Sequence, residues 1–448
     1  MKPLKFKPYL LNNFYVLLII GALVGCNKPS KHIEVSPELF HKSVDKVTEI
    51  IVHDIFSPPV ASRIFAYPNI AAYEILAQKS KKYKSLYGII KEYTPIPKAD
   101  TTKQINLELS ALIAHMELSK SLIFSEDRMA ELQDSLYAAW KDTNEEEFNQ
   151  SKDYAMKVVD HITTWMNKDN YPQTRTMPKF TVDIDDPSRW QPTPPAYMDG
   201  IEPHWNEIRT FVMDSASQFK PQPHPKFSLD KDSEFYKQIL EVYDTRNEMG
   251  KDPNAAEKEE IAQFWDCNPF ASVVKGHFMF AKKKISPGAH WLGIVKIVTR
   301  KAKCNFEETV NAYTKTSIAL ADGFISAWDE KYRTNLIRPE TLINKYIDPE
   351  WTPLLQTPPF PEYTSAHSVV SGAASVVLTR IFGDNFYFDD DTELQYGLPI
   401  RSFHSFYQAS AEAAISRMYG GIHYRAAIEN GLVQGKALGN FIADKMGL

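Results

Sequence analysis

The sequence Ser416-Arg417-Met418-Tyr419-Gly420-Gly421-Ile422-His423-Tyr424-Arg425 carries an arginine and a histidine six residues apart, divided by a glycine pair. On an unbroken helix that spacing would turn the two side chains to different faces. Glycine tolerates the left-handed backbone that ends a helix, so Gly420-Gly421 predicts a break. Arg417 then closes one helix and His423 opens the next. A helix N-terminus brings unpaired N–H groups and the positive end of a dipole, which suit an anion.

Working upstream, Glu362-Tyr363-Thr364-Ser365-Ala366-His367-Ser368 precedes the apolar, small-residue stretch Val369 to Leu378. Thr364 or Ser365 caps that helix, leaving its first N–H groups open to an anion. Ser365 adds a hydroxyl donor and His367 a titratable ring. Further upstream stands Lys331-Tyr-Arg-Thr-Asn-Leu-Ile-Arg338-Pro339. Residues seven apart on a helix project from nearly the same face, which would pair Lys331 with Arg338, and Pro339 marks the helix end. Each segment alone is unspecific. Together they gather three cations, a hydroxyl and two imidazoles, the inventory for holding a tetrahedral oxyanion.

The rest of the chain reads as helix. Apolar residues recur at helical spacing from Pro37 to about Ile55 and again from Val60, with Pro68 a kink. Ile105 to Met116 and Met129 to Leu136 continue the pattern, and Asn144 with Glu147 reads as a capping box for a helix ending near Trp165. Later helices are expected at 233–246, 255–282, 289–302, 306–332, 367–383, 405–418 and 423–445. Strand-like alternation is almost absent, so the class is all-α. Between the helical halves, residues 170–230 hold ten of the 29 prolines together with Trp190 and Trp205. Irregular chain of that length is a functional loop or a linker, and the interleaved aromatics favour a packed cover. The expected organisation is a signal peptide at 1–25, a lipidated tether at 26–35 and an N-terminal helical part at 36–169. The cover at 170–230 and a catalytic helical part at 231–448 follow.

The chain has 448 residues, 43% of them hydrophobic, and a formal net charge of -5. That size and composition support a large core, and the charge argues against a nucleic-acid partner. Lys2, Lys5 and Lys7 precede a short apolar run, Phe14 to Val24, too short for the roughly 20 residues of a membrane span. It ends in Leu23-Val24-Gly25-Cys26, which resembles a bacterial lipobox with Cys26 lipidated. The expectation is an exported lipoprotein of the bacterial cell envelope, periplasmic or on the outer-membrane face, touching the membrane through its N-terminal lipid alone. Cys267 and Cys304 remain, either as a disulfide, which an exported compartment permits, or as two buried free thiols. Trp265, His290 and Trp291 read as packing, with an entrance to the site as the other possibility. Lys282-Lys283-Lys284 reads as a solvated face.

Lys-x6-Arg-Pro, then Ser-x-His, then Ser-Arg-x5-His resembles the signature of the type 2 phosphatidic acid phosphatase and vanadium-dependent haloperoxidase superfamily. The separations are 24 residues from Pro339 to Thr364 and 48 from His367 to Ser416. Ala319-Leu-Ala-Asp-Gly-Phe324, Trp328-Asp329 and Thr357-Pro-Pro-Phe-Pro-Glu-Tyr363 are similar to the bacterial haloperoxidase-like branch. The resemblance implies helical bundles, two packed four-helix-type ones, arranged so that the three segments converge. It implies an anion site for vanadate or phosphate made by Lys331, Arg338, Ser365, the Ala366 N–H, Arg417 and His423. His423 would be the axial vanadate ligand, His367 the general acid–base, and Lys331 the residue polarising hydrogen peroxide before a halide attacks. A soluble phosphatase acting on a phosphate ester through a phosphohistidine at His423, with no vanadate, is the alternative. A non-catalytic anion-binding lipoprotein is a third. Two departures stand out: Thr-Ser-Ala-His replaces the family's Pro-Ser-Gly-His, and Ala427 occupies the place of the Asp four residues after the last His. Glu429 or a backbone carbonyl would have to orient the imidazole instead.

Overall fold

The computed structural model describes residues 31–249, 255–269, 272–275, 278–281 and 284–448. Cys26 and the leader lie outside the described residues, as do Lys282 and Lys283. Helix α1 spans Pro37–Asp54 and α2 Pro58–Ala77, each with proline just inside a serine cap, where its missing N–H costs nothing. Pro68 does not end α2, which is buried almost throughout. Asn106 caps α3 (Leu107–Lys120). The long α4 (Glu126–Met166) is interrupted at Asn144, whose side chain accepts the Glu147 N–H at 3.1 Å and donates to the Glu147 carboxylate. The capping signal is real, but hydrogen bonding joins the helices on either side of it.

A single turn, α5 (Tyr171–Thr174), leads into irregular chain that lasts until α6 (Glu234–Glu248). This chain is a packed cover. Trp190 and Trp205 are buried, and the backbone N–H groups of Phe211, Val212 and Met213 all donate to the Asp322 carboxylate at 2.6, 2.8 and 3.0 Å. Trp190 N–H donates to the Asn335 carbonyl and Ile201 N–H to the Pro359 carbonyl.

The expected helix over 255–282 is cut short. α7 stops at Phe264 after starting at Ala255, and an antiparallel pair follows, β1 (Ser272–Lys275) with β2 (Phe278–Ala281). Pro269 explains the break: it lacks a backbone donor and pushes its predecessor out of helical geometry. Then come α8 (Pro287–Lys301), α9 (Phe306–Thr334), α10 (Pro339–Tyr346) and α11 (Ala366–Phe382). A second small pair, β3 (Phe388–Asp390) with β4 (Arg401–Phe403), precedes α12 (Phe406–Tyr419) and α13 (Arg425–Lys445). Helix α9 packs against both α2 and α11, so one hydrophobic core runs through the N-terminal and C-terminal helices. The fold is all-α.

Helices α11 and α13 pack against each other along their lengths. Gly431, Gly435 and Gly439 recur every fourth residue on α13, and a Cβ at Gly435 would lie 2.0 Å from the Val369 carbonyl oxygen. Only bare backbone allows that approach. It seats the N-terminus of α11 against the start of α13, and the two imidazoles of the site come from those two places.

Candidate active site

Lys331 sits in the last turn of α9, which ends at Thr334 because Asn335 takes a left-handed conformation and caps Lys331's carbonyl. Arg338 is therefore not on the same helix. It is the N-cap residue of α10, and Pro339 starts that helix at its first position. The loop, and not a shared helix face, brings the two cations together. Both are fully buried. The Lys331 ammonium donates to the carbonyls of Pro361 (3.1 Å), Glu362 (3.0 Å) and Thr364 (2.6 Å). Three acceptors satisfy its three protons, so Lys331 clamps the segment leading into α11. Contact with an anion would require giving up one of these bonds. Burial, and next the Arg338 charge, hold its pKa well below the ordinary lysine value.

Arg338 donates from Nε to the Phe360 carbonyl at 3.0 Å, and from Nη1 to the Ile422 carbonyl at 2.8 Å and His423 Nε2 at 3.1 Å. Arg417, in the last turn of α12, donates from Nη1 to the Trp265 carbonyl at 2.8 Å, with Asp266 3.9 Å from Nη2. Burial lowers the pKa of Arg338 to about 10 and also lowers that of Arg417; both stay cationic at neutral pH. Gly421, at φ 77°, makes the turn that the glycine pair predicts. His423 follows in that turn, two residues before α13 begins.

An arginine can only donate, so the contact from Arg338 requires an unprotonated His423 Nε2. The proton is on Nδ1, which donates to Glu362 Oε1 at 2.7 Å. Burial, then the neighbouring Arg338, keeps His423 well below the usual histidine pKa, and so neutral. His367, in the first turn of α11, is likewise held neutral by burial and then by Arg417. Ser365 caps α11, accepting the Ser368 N–H at 3.3 Å. Ala366 is the first residue of that helix, whose leading N–H groups have no intrahelical partner.

Cys267, Asn268, Phe324, Trp328, Phe360, Ala366, His367, Arg417 and His423 are among the residues lining a narrow cavity. Among the site's buried polar atoms without a hydrogen-bond partner are Arg338 Nη2, Arg417 Nε and Nη2, and His367 Nε2. Buried donors are normally paired. Three unpaired arginine donors, beside a helix N-terminus and the unpartnered His367 Nε2, fit an oxyanion such as vanadate. Lys331, Arg338 and Ser365 are not among the lining residues.

Glu362 is the residue that sequence reasoning missed. It is fully buried, and the Tyr424 N–H donates to the same Oε1 at 3.0 Å. Burial raises its pKa to about 7 against the opposing charges of Arg338 and Lys331. Its signal was legible: a carboxylate within the otherwise apolar Thr357-Pro-Pro-Phe-Pro-Glu-Tyr363. Glu429 lies elsewhere, paired with Arg425. Cys267 and Cys304 are free thiols. Trp265 is buried and stacks on His290 at 4.4 Å. Among the described residues, Cys267, His290 and Glu393 form a group of metal-ligating types. His290 however has Asp390 on Nε2 at 2.9 Å and Glu393 on Nδ1 at 3.2 Å. Against the cost of burial, carboxylates on both ring nitrogens raise the His290 pKa well above the ordinary value and mark an imidazolium, a buried packing element behind Trp265. Lys284 pairs with Asp266 and is not a solvated residue.

The fold is all-α, and the site sets unpaired arginine donors suited to a tetrahedral oxyanion beside two neutral imidazoles. Residues 345–447 match the VCPO second helical-bundle domain. The chain is similar to a bacterial vanadium-dependent iodoperoxidase of known crystal structure, with a TM-score of 0.89 and 65% identity. That match covers 93% of this chain and 98% of the other. A holo-type bacterial vanadium-dependent chloroperoxidase shares the fold at TM-score 0.65 and 15% identity, over 88% of this chain and 93% of its own. No curated protein matches the chain. The chain belongs to the vanadium-dependent haloperoxidases.

Proposed function

We propose that this haloperoxidase, which uses vanadate to oxidise halide with hydrogen peroxide, takes iodide as its preferred halide. The cavity wall carries the reading. Pro58, Pro287, Phe324, Trp328, Pro358 and Phe360 make it largely apolar around the cationic Arg417. A halide must shed water to enter it, and the penalty for moving a charge out of water is smallest for the largest, least hydrated ion. The 65% identity to an iodoperoxidase supports the same choice. Initial rates with iodide, bromide and chloride at equal peroxide should fall in that order, with kcat/KM for iodide at least about tenfold above bromide, the effect of 1.4 kcal/mol in the barrier. A chain that oxidises bromide as efficiently as iodide would refute the assignment.

The residues divide the work as follows. His423 Nε2 would hold vanadate on giving up its contact with Arg338, and the unpaired N–H groups of Arg338 and Arg417 would neutralise the oxygens. The Ala366 N–H and the Ser365 hydroxyl add donors at the positive end of α11. Bound vanadate supplies the Lewis-acid centre at which peroxide becomes electrophilic toward halide. Neutral His367 takes a proton from the incoming peroxide at Nε2 and later returns it to the leaving oxygen. Lys331, locked on three carbonyls, keeps the 361–364 segment and its positive field in place.

The lipobox-like Leu23-Val24-Gly25-Cys26 supports an exported lipoprotein held at the bacterial cell envelope by acylated Cys26. Among the described residues no helix is long and apolar enough to cross a membrane. Cys26→Ser should therefore release the protein from the membrane fraction, and undiminished membrane association of that variant would refute the anchor.

A further inference from the structure

We infer that Glu362 is the positioning residue for the vanadate-holding histidine, standing in for the carboxylate that Ala427 lacks. The inference rests on the reading of His423 as the ligand. An imidazole ligand needs its second nitrogen held by an acceptor, which fixes the ring and raises the basicity of the coordinating nitrogen. The chain cannot supply that acceptor from position 427, where a buried alanine stands. Its carbonyl is already engaged by the Ser365 N–H at 3.1 Å.

Glu362 fills the role from the opposite side of the site. Its Oε1 lies 2.7 Å from His423 Nδ1 and 3.0 Å from the Tyr424 N–H, so one oxygen fixes both the ring and the backbone that carries it. Its own backbone carbonyl accepts from Lys331 at 3.0 Å, which fixes Glu362 in turn. Arg338 approaches the other ring nitrogen. The ring's proton is thus fixed on Nδ1 toward Glu362, which leaves the lone pair on Nε2, where vanadate would replace the Arg338 contact. The carboxylate has moved from the helix after the histidine to the segment before Ser365. Because that segment also leads into α11, a single clamp sets the ligand and the N-terminus carrying His367.

Calorimetric titration of the apo-protein with vanadate tests this in Glu362→Ala, Glu362→Gln and His423→Ala, each with its thermal midpoint measured. Glu362→Ala should weaken vanadate binding about 10- to 100-fold, the usual cost of losing such a partner. Glu362→Gln keeps an acceptor but no charge, and should weaken it only about three- to tenfold. At saturating vanadate, kcat should fall by less than the affinity does, since the acid–base group is untouched. Glutamine binding as tightly as wild type, or no better than alanine, would overturn the inference, and so would wild-type affinity in Glu362→Ala. If the alanine variant does not fold, the glutamine variant alone decides by the same criterion. His423→Ala separates the two levels. If it too binds vanadate like wild type, the ligand assignment fails; if it loses binding while the Glu362 variants do not, only the role of Glu362 fails.

Discussion

His367 and His423 share a residue type, a buried environment and a depressed pKa, yet their surroundings give them different tasks. His423 has both nitrogens engaged, one by Glu362 and one by Arg338. His367 has an unpartnered Nε2. A nitrogen with a fixed lone pair is a ligand; one free to gain and lose a proton is an acid–base group. His423→Ala should leave the arginines able to bind vanadate weakly as a free anion, with halide oxidation abolished. His367→Ala should keep vanadate affinity near wild type and lower turnover by roughly a hundred- to ten-thousand-fold, the usual contribution of a positioned acid–base group. Turnover of both variants beside their vanadate affinities checks the division, and undiminished turnover in both would end it. The motif residues were legible in the sequence at this scale. Lys331's three carbonyl partners were not, because they come from backbone 30 residues and more downstream.

At the scale of elements, helix existence followed from apolar spacing, and most boundaries lie within two residues of expectation. Two failures are instructive. Lys331 and Arg338 were expected on one helix because seven-residue spacing allows it, but Asn335 adopts a left-handed cap that spacing cannot report. The helix through 255–282 ignored Pro269, a breaker in plain sight. The contact between α11 and α13 depends on glycine where a helix would normally avoid it. Gly435→Ala sets a Cβ against the Val369 carbonyl, a backbone atom that cannot swing aside. Overpacking of this kind costs about 1–3 kcal/mol or more. The variant should lose at least about 2 kcal/mol in urea unfolding, and because the strain displaces α11 its vanadate affinity should fall as well. A variant as stable as wild type would show that the helices can separate without consequence.

For the whole molecule, the decisive object is the cover. Residues 170–230 have little regular structure of their own, yet Asp322 on α9 ties three of its N–H groups to the core, and other bonds tie it to the loop between α9 and Arg338. Burial raises the Asp322 pKa to about 6, so at neutral pH it is the ionised acceptor those donors need. Asp322→Ala would strand three buried N–H groups at about 1–3 kcal/mol each. Limited proteolysis should then cut first near 205–215, and hydrogen exchange there should rise before the helices open. Protection unchanged from wild type would mean that the aromatic packing of Trp190 and Trp205 holds the cover without the carboxylate.

The sequence by itself determined the helical class and the three segments that carry the cations and imidazoles, because helical periodicity and the motif's residue types are local properties. For the irregular segment the interleaved tryptophans favoured a packed cover without excluding a hinge between the helical halves. What only the tertiary structure decided is how partners distant in the chain pair. The carboxylate serving His423 is Glu362, 61 residues earlier, and Lys331 spends its protons on backbone. His290 pairs with two carboxylates a hundred residues away instead of lining the entrance. Hydrogen bonds across such separations depend on how helices are stacked, and that stacking turns on contacts such as Gly435 against Val369, which no spacing rule within one segment can express.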